Sequence, residues 1–106
     1  MDTFETRPFD AAEYLKDDEE GQLYLLRDAM ESGEAAYIAH AVGAVARSRG
    51  GLSQLERATG IKRQTLNKAL SNKGNPTLET LIPILKALGL KLTVEQAPAE
   101  PELADA

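Results

Sequence analysis

One short stretch of the chain concentrates side chains that can hydrogen-bond to the edges of DNA bases. Arg63 and Lys68 can donate to guanine O6 and N7, and Gln64 can pair with two atoms of adenine. Asn67 shares the same helical face and is a weaker candidate, and no acidic residue interrupts this face. The spacing therefore predicts a helix whose polar side enters the major groove of DNA.

Two short predicted helices, one on each side of Gly60, would position this face. Gly60 can supply the positive φ that a tight turn between helices needs. Ser53 followed by Glu56 has the spacing of a capping box for the first helix, and Leu66 and Leu70 give the second helix an apolar side. Such a pair is a helix-turn-helix with a recognition helix. Ordinary packing of two amphipathic helices gives a similar pattern, so the flanking sequence has to decide.

Further residues around the turn suit contacts with phosphates. Lys62 and Thr65 flank the start of the second helix, and Lys73 lies in the loop that follows it. Ser53 and Gln54 belong to the start of the first helix, where backbone amides can hold a phosphate. These residues would fix the position of the protein on DNA without reading its sequence.

The distribution of charge supports this interpretation, although the net charge of the chain is −5. Residues 35–75 hold seven basic residues and one acidic residue, as phosphate neutralisation requires. Residues 1–34 hold eleven acids and three bases. This acidic block is either an ordinary solvated face or a surface for a second, basic partner.

The longer sequence pattern resembles a known family. The segment GIKRQTLNKAL at residues 60–70 resembles the turn and recognition helix of Xre/Cro/CI-like repressors. The continuation to residue 90, LSNKGNPTLETLIPILKALGL, is similar to HigA-like antidote (antitoxin) proteins of toxin–antitoxin addiction modules, and the segments FDAAEYL at 9–15 and GEAAYIAH at 33–40 fit the same family. The resemblance covers residues 7 to 96.

This resemblance implies a fold and a function. The expected fold is mainly all-α, a lambda-repressor-like helix-turn-helix domain of five to six helices with one C-terminal β-strand. The expected partners are double-stranded operator DNA and a small basic toxin of the RelE/ParE group, with repression of the chain's own operon. By the resemblance, Arg63, Gln64 and Lys68 match the positions that contact bases.

Two positions depart from the family pattern. Glu56 stands four residues before the turn glycine, where the family usually has a small residue. Leu52 stands at the start of the first motif helix, where the family usually has a glutamine. These departures predict a late start of the first helix. They weaken the assignment of the family's DNA-contact roles to Ser53 and Gln54, but not to the residues of the recognition helix.

A toxin-binding surface is predicted on the acidic helices of residues 10–34. Acidic groups there would accelerate association with a basic protein, and aromatic or apolar side chains would supply the lasting affinity. In the alternative interpretation, Tyr14 and Leu15 simply cover the core. The candidate residues are Tyr14, Leu15, Asp17, Asp18, Glu19, Glu20, Tyr24 and Asp28.

The sequence pattern in the C-terminal part of the chain predicts a strand. Leu90, Leu92 and Val94 alternate with polar residues, which is typical of a half-buried strand. A lone strand leaves its backbone groups unpaired, so we expect it to pair with a second copy across a two-fold axis and form a homodimer. In the helix before it, Pro83 predicts a kink or a later helix start.

The predicted organisation is a single helix-turn-helix domain with its strand at 17–96. It follows an N-terminal arm with a short helix at 1–16 and precedes a tail at 97–106, which is poor in bulky apolar residues and predicted to be disordered.

Other chemistry is excluded or disfavoured by composition. The chain has no cysteine and a single histidine, His40, so neither thiolate chemistry nor a zinc site is expected. We expect no catalytic residue, cofactor, metal, secretory signal or membrane segment, and a cytoplasmic location. Two alternatives to the antitoxin remain open: a stand-alone Xre-type repressor without a toxin, and a protein-interaction adaptor.

Overall fold

The computed structural model describes residues 15–71 and 73–98, and this part of the chain folds into five helices. The mainly helical prediction is therefore confirmed. The helices are α1 (Glu19–Ser32), α2 (Ala35–Ser48), α3 (Gly51–Thr59), α4 (Arg63–Ala69) and α5 (Leu78–Ala87).

Local sequence signals set several of the helix ends. Asp18 caps α1, because its Oδ1 accepts a hydrogen bond from the Gly21 N–H at 3.0 Å. Gly33 ends α1 in the left-handed conformation, with φ of 69°. Thr77 caps α5 by accepting from the Thr80 N–H at 3.3 Å.

One predicted helix start is wrong, and one of the two alternatives predicted for Pro83 does not occur. α3 begins at Gly51, directly after Gly50, and in the described chain no side chain caps it. The expected capping box of Ser53 is therefore absent, because Ser53 already lies inside the first turn. α5 begins at Leu78 and continues through Pro83, so the proline does not delay its start.

The core forms around α2, which buries more residues than any other described helix. α2 buries small and β-branched side chains, Val42 and Val45 among them, and contacts α1 on one side and α3 on the other. α3 in turn contacts both α4 and α5. The other large buried side chains in this core are Leu26, Leu55, Leu66, Leu70, Leu81, Ile84, Leu85 and Leu88.

Gly43 lets α2 approach the end of α4 closely. A Cβ built at Gly43 would lie 2.8 Å from the carbonyl oxygen of Leu70, a distance that real Cβ atoms do not show. The absence of a side chain at this position therefore fixes how near the end of α4 lies to α2.

A polar network links the N-terminal end, the middle and the C-terminal end of the described chain. Gln22 is 2% exposed; its Nε2 donates to the Leu15 carbonyl at 2.9 Å, and its Oε1 accepts from Arg49 Nε at 2.6 Å. Arg49 Nη1 also donates to the Leu88 carbonyl at 2.6 Å. Arg49, which the charge count placed in the basic block, is therefore turned inward.

The predicted C-terminal strand is not formed in the single chain. After Gly89, residues 90–98 have no regular secondary structure, and the described residues contain no strand. Leu90 is half-buried against the core, whereas Leu92 and Val94 are exposed. The physical reason is that alternation alone cannot form a strand, which needs a neighbouring strand for its backbone hydrogen bonds.

The described residues leave some predictions about the chain ends untouched. Most of the N-terminal arm and most of the predicted disordered tail lie outside them, so the domain limits at 16 and 97 stay predictions. None of the described helices has both the length and the apolar character that crossing a membrane requires.

Candidate nucleic-acid interface

A tight turn at residues 60–62 joins α3 to α4, as predicted. Gly60 has φ of 78°, and its N–H donates to the Glu56 carbonyl at 2.8 Å. Thr59 holds the turn from both sides: its Oγ1 donates to the Leu55 carbonyl at 2.7 Å and accepts from the Ile61 N–H at 3.1 Å. Three hydrogen bonds between neighbouring residues therefore fix the turn, in addition to the conformation of the glycine.

The unusual Glu56 has a structural role at the start of α4. Its Oε2 accepts a hydrogen bond from the backbone N–H of Arg63 at 3.2 Å. A carboxylate at a helix N-terminus satisfies an unpaired donor and interacts favourably with the helix dipole. The acid that departs from the family pattern thus stabilises the helix that carries the candidate base contacts.

α4 has only seven residues, so tertiary contacts must hold it. Leu66 is fully buried and Leu70 nearly so, and both belong to the core. The opposite side of α4 faces solvent. Its exposed residues are Arg63, Gln64, Thr65, Asn67 and Lys68, all five of the candidates predicted within this helix.

The candidates on α3 lie beside the start of α4. Arg63 Nη1 donates to Ser53 Oγ at 3.2 Å, which brings together one candidate from each helix. Gln54 is exposed on the same turn, and its Oε1 accepts from Arg57 Nη2 at 3.2 Å. Arg57 was not predicted as a site residue, although its contribution to the basic block was the signal that could have identified it.

The two remaining predicted phosphate contacts are also exposed. Lys62 is the residue that precedes α4, and Lys73 lies in the loop after it, with its backbone N–H donating to Ser71 Oγ at 3.3 Å. With Arg49 turned inward, the exposed basic groups of this region are Arg47, Arg57, Lys62, Arg63, Lys68 and Lys73.

A second candidate surface lies on α1 and α2. Tyr24 is 74% exposed, and the i, i+4 spacing places Asp28 on the same face of α1. Asp28 Oδ2 accepts a hydrogen bond from the Tyr37 hydroxyl of α2 at 2.6 Å. This hydrogen bond is the main cause that raises the pKa of Tyr37 above its ordinary value of 10.0, followed by burial and the charge of Asp28. Sequence reasoning missed Tyr37, because only the packing of α1 on α2 brings it to Asp28.

The other predicted toxin-binding residues differ in their exposure to solvent. Asp17, Asp18, Glu19 and Glu20 are exposed around the start of α1, where Asp18 also serves as the helix cap. Leu15 is buried, as in the alternative in which it covers the core, and its carbonyl accepts from Gln22. Tyr14 lies outside the described residues.

Comparisons with known proteins place most of the chain in one family. A family model described as "Probable addiction module antidote protein" matches residues 5–96. The chain is also similar to a protein of Haemophilus influenzae described as "Uncharacterized protein", with 42% identity over 95 residues, which are 90% of this chain and 96% of that protein. No solved structure matches the chain.

Proposed function

This chain belongs to the family of probable addiction module antidote proteins, and from that premise we propose that it is a DNA-binding antitoxin. It represses its own operon by binding operator DNA through α4, and it neutralises a cognate toxin similar to the RelE/ParE group. The observation that carries the proposal is the exposed, acid-free polar face of α4, held on the core by Leu66.

The α4 face has the chemistry and the size for reading bases. An α-helix fits the major groove, which is about 12 Å wide. Gln64 and Lys68 are one turn apart and exposed, so both can reach base edges from one side of the helix. Arg63 can exchange its hydrogen bond with Ser53 for a bidentate contact with guanine. Asn67 completes the candidate reading surface.

The residues around α4 supply contacts with the DNA backbone. Lys62 and Thr65 flank the start of the helix, and Lys73 follows its end. Ser53 and Gln54 lie in the first turn of α3, where backbone N–H groups point away from the helix. Such contacts position the protein on the duplex and make binding salt-dependent.

We further propose that the chain acts as a homodimer. Proteins that read DNA with a recognition helix commonly present two such helices to half-sites one helical turn apart. Residues 90–98 carry the exposed Leu92 and Val94, and pairing with the same segment of a second copy would give Leu90, Leu92 and Val94 the neighbouring strand that a single chain lacks.

The toxin is proposed to bind the face of α1 and α2. Tyr24 supplies an exposed aromatic side chain, and the hydrogen-bonded pair of Asp28 and Tyr37 supplies an acidic acceptor for a basic group. Exposed acids at the start of α1 increase the rate of encounter with a basic protein. α1 packs on α2, whereas α4 packs on α3, which supports separate surfaces for the two partners.

Two other functions use some of the same features. A stand-alone Xre-type repressor would use α4 but have no toxin, and the absence of a neighbouring gene for a short basic protein would favour it. A protein-interaction adaptor would use the basic surface for an acidic protein, and it would show no salt-dependent binding to the chain's own promoter.

Replacing Arg63 and Lys73 in turn tests the assignment of α4. We expect Arg63→Ala to weaken binding to the operator by about 1–3 kcal/mol, because it removes a base contact, with little change on random DNA. We expect Lys73→Ala to weaken binding to all sequences nearly equally. It should also reduce the slope of log affinity against log salt concentration by about one. Mobility-shift titrations on promoter and random DNA measure both effects.

Arg27→Ala is the matched control for these titrations, because it removes the same charge from an exposed position of α1. It should bind both DNAs as the unsubstituted chain does, apart from the small effect of net charge. Equal binding of Arg63→Ala and the unsubstituted chain on both DNAs would remove Arg63 from the interface.

A further inference from the structure

Three side chains of α1 and α2 form a cluster on the surface of the described chain. Asp28 Oδ2 accepts a hydrogen bond from the Tyr37 hydroxyl at 2.6 Å, and Tyr24 lies one turn before Asp28 on α1. The charge of an ionised Tyr24 also raises the pKa of Tyr37, so the two hydroxyl groups lie within the range of electrostatic interaction. The packing of α1 on α2 therefore brings two aromatic side chains and one carboxylate together.

The cluster is open to solvent and keeps an acceptor for a further donor. Tyr24 is 74% exposed and Asp28 is also exposed. Tyr37 is half-buried against the core, so its hydroxyl holds the Asp28 carboxylate from a fixed position. Only Oδ2 takes part in this hydrogen bond. Because a carboxylate offers about four acceptor positions on its two oxygens, Oδ1 can accept from a bound group.

The charges around the cluster favour a cation. Glu31 lies about one turn after Asp28 on α1, and Glu34 directly precedes α2; both are exposed. Arg27 is the only lysine or arginine within residues 24–40, and the helical period sets it about 100° from Asp28 around α1. A phosphate would be repelled by this surface, and an apolar group would cover Asp28 without giving it a hydrogen-bond donor.

We propose that the cluster binds one arginine side chain of a basic protein partner, with the guanidinium stacked on the Tyr24 ring and donating to Asp28 Oδ1. This inference rests on the proposed function, which identifies the partner as the toxin, and it names the group that the surface recognises. A planar guanidinium can place its face on an aromatic ring while its edge donates to a carboxylate. A lysine ammonium is a strongly hydrated point charge and gains less from an exposed ring, so the cluster selects arginine over lysine.

Tyr37 is a positioning residue in this arrangement. Its raised pKa keeps the phenol protonated at neutral pH, so it continues to donate to Asp28. The hydrogen bond restrains the carboxylate and lowers the entropy lost when the guanidinium binds. We expect Tyr37→Phe, which keeps the ring against the core, to weaken arginine binding by less than Asp28→Asn does.

Titration of the full chain with N-acetyl-arginine amide and N-acetyl-lysine amide tests the selectivity. The ring signals of Tyr24 and Tyr37 in NMR spectra should shift and saturate with the arginine probe, with a dissociation constant on the order of 10 mM. The lysine probe should bind at least about threefold more weakly, because it lacks the planar group.

Substitutions separate the two contacts of the guanidinium. Asp28→Asn and Tyr24→Leu should each weaken binding of the arginine probe by at least about threefold, whereas Tyr24→Phe, which keeps the ring, should bind it as the unsubstituted chain does. Glu79→Gln is the matched control, because it removes one exposed acid from α5, and it should leave probe binding unchanged.

Arginine modification tests the same contact in the complex with the toxin. Phenylglyoxal reacts with exposed arginine side chains. One toxin arginine should be protected from it in the complex with the unsubstituted chain and should react in the complex with Asp28→Asn. A complex in which no toxin arginine is protected would contradict the proposal.

Two results of the probe titrations would also overturn it. Equal affinities for the two probes would remove the selectivity for arginine, and normal binding of the arginine probe by Asp28→Asn would remove the carboxylate contact. These samples contain no toxin, so they are independent of the proposed function. A chain that binds the toxin but neither probe overturns this inference alone, whereas a chain that selects the arginine probe but binds no toxin supports the arginine site and contradicts the proposed function.

Discussion

Replacing Leu66 by alanine is expected to lower the free energy of unfolding by about 2–5 kcal/mol. Leu66 is fully buried and is the main apolar anchor of α4. Its truncation removes apolar contacts and leaves a cavity between α4 and the core. Because α4 has seven residues and cannot persist without packing, the same substitution should abolish operator binding. Urea denaturation followed by circular dichroism measures the loss of stability.

Gln64→Ala is the matched control for this experiment, because it truncates an exposed side chain of the same helix. Its unfolding free energy should change by no more than about 0.5 kcal/mol, whereas its operator affinity should fall. A loss of less than about 1 kcal/mol for Leu66→Ala would show that α4 is not held by this side chain.

Replacing Arg49 by alanine is expected to lower the free energy of unfolding by about 2–3 kcal/mol. The substitution removes the donor at 2.6 Å from the buried Gln22 Oε1 and the donor at 2.6 Å from the Leu88 carbonyl. Hydrogen bonds from a charged donor contribute more than neutral ones, and a buried amide oxygen without its donor is costly. The ends of α1 and α5 should consequently loosen, which amide hydrogen exchange would detect.

Arg47→Ala is the matched control, because Arg47 is an exposed arginine at the same end of α2. Its effect should stay within about 0.5 kcal/mol. The double change Gln22→Leu with Arg49→Met should recover part of the lost stability, because it removes the buried polar group together with its donor. Equal effects of Arg47→Ala and Arg49→Ala would contradict a structural role for the network.

The parts of the fold that could be predicted from the sequence depend on neighbouring residues. Asp18, Gly33, Gly60 and Thr77 mark helix ends through hydrogen bonds or φ values that involve only a few residues on either side. All nine candidate DNA contacts are exposed. For those on α4, the helical periodicity that buries Leu66 predicts this exposure, and the others lie in the first turn of α3 or in loops, which are usually exposed.

The features that could not be predicted depend on tertiary packing. Arg49 lies 27 residues from Gln22 in sequence, so no local pattern indicates that this base turns inward. Glu56 has the spacing to Ser53 of a capping box for its own helix, yet it accepts from Arg63 at the start of the next one. Leu15 has the same apolar character whether it anchors a partner or fills the core, and only the fold shows that it is buried.

The C-terminal segment shows a different limit. The alternation of Leu90, Leu92 and Val94 describes which side chains would share a face of a strand. It does not supply the backbone hydrogen-bond partner, so the segment stays irregular in the single chain. Leu78 and Ile82 show the same limit: they are apolar residues of a helix that packs on the core, yet both are exposed in the single chain.

A mobility shift on the chain's own promoter, with and without the proposed toxin, a small basic protein, tests the central claim most directly. The unsubstituted chain should retard promoter DNA at least about tenfold more strongly than random DNA, and the basic protein should add a slower band. Tyr24→Ala should keep the first shift and lose the second, whereas Gln64→Ala should weaken the first. Equal binding of promoter and random DNA by the unsubstituted chain would contradict the account, as would a slower band that Tyr24→Ala leaves unchanged.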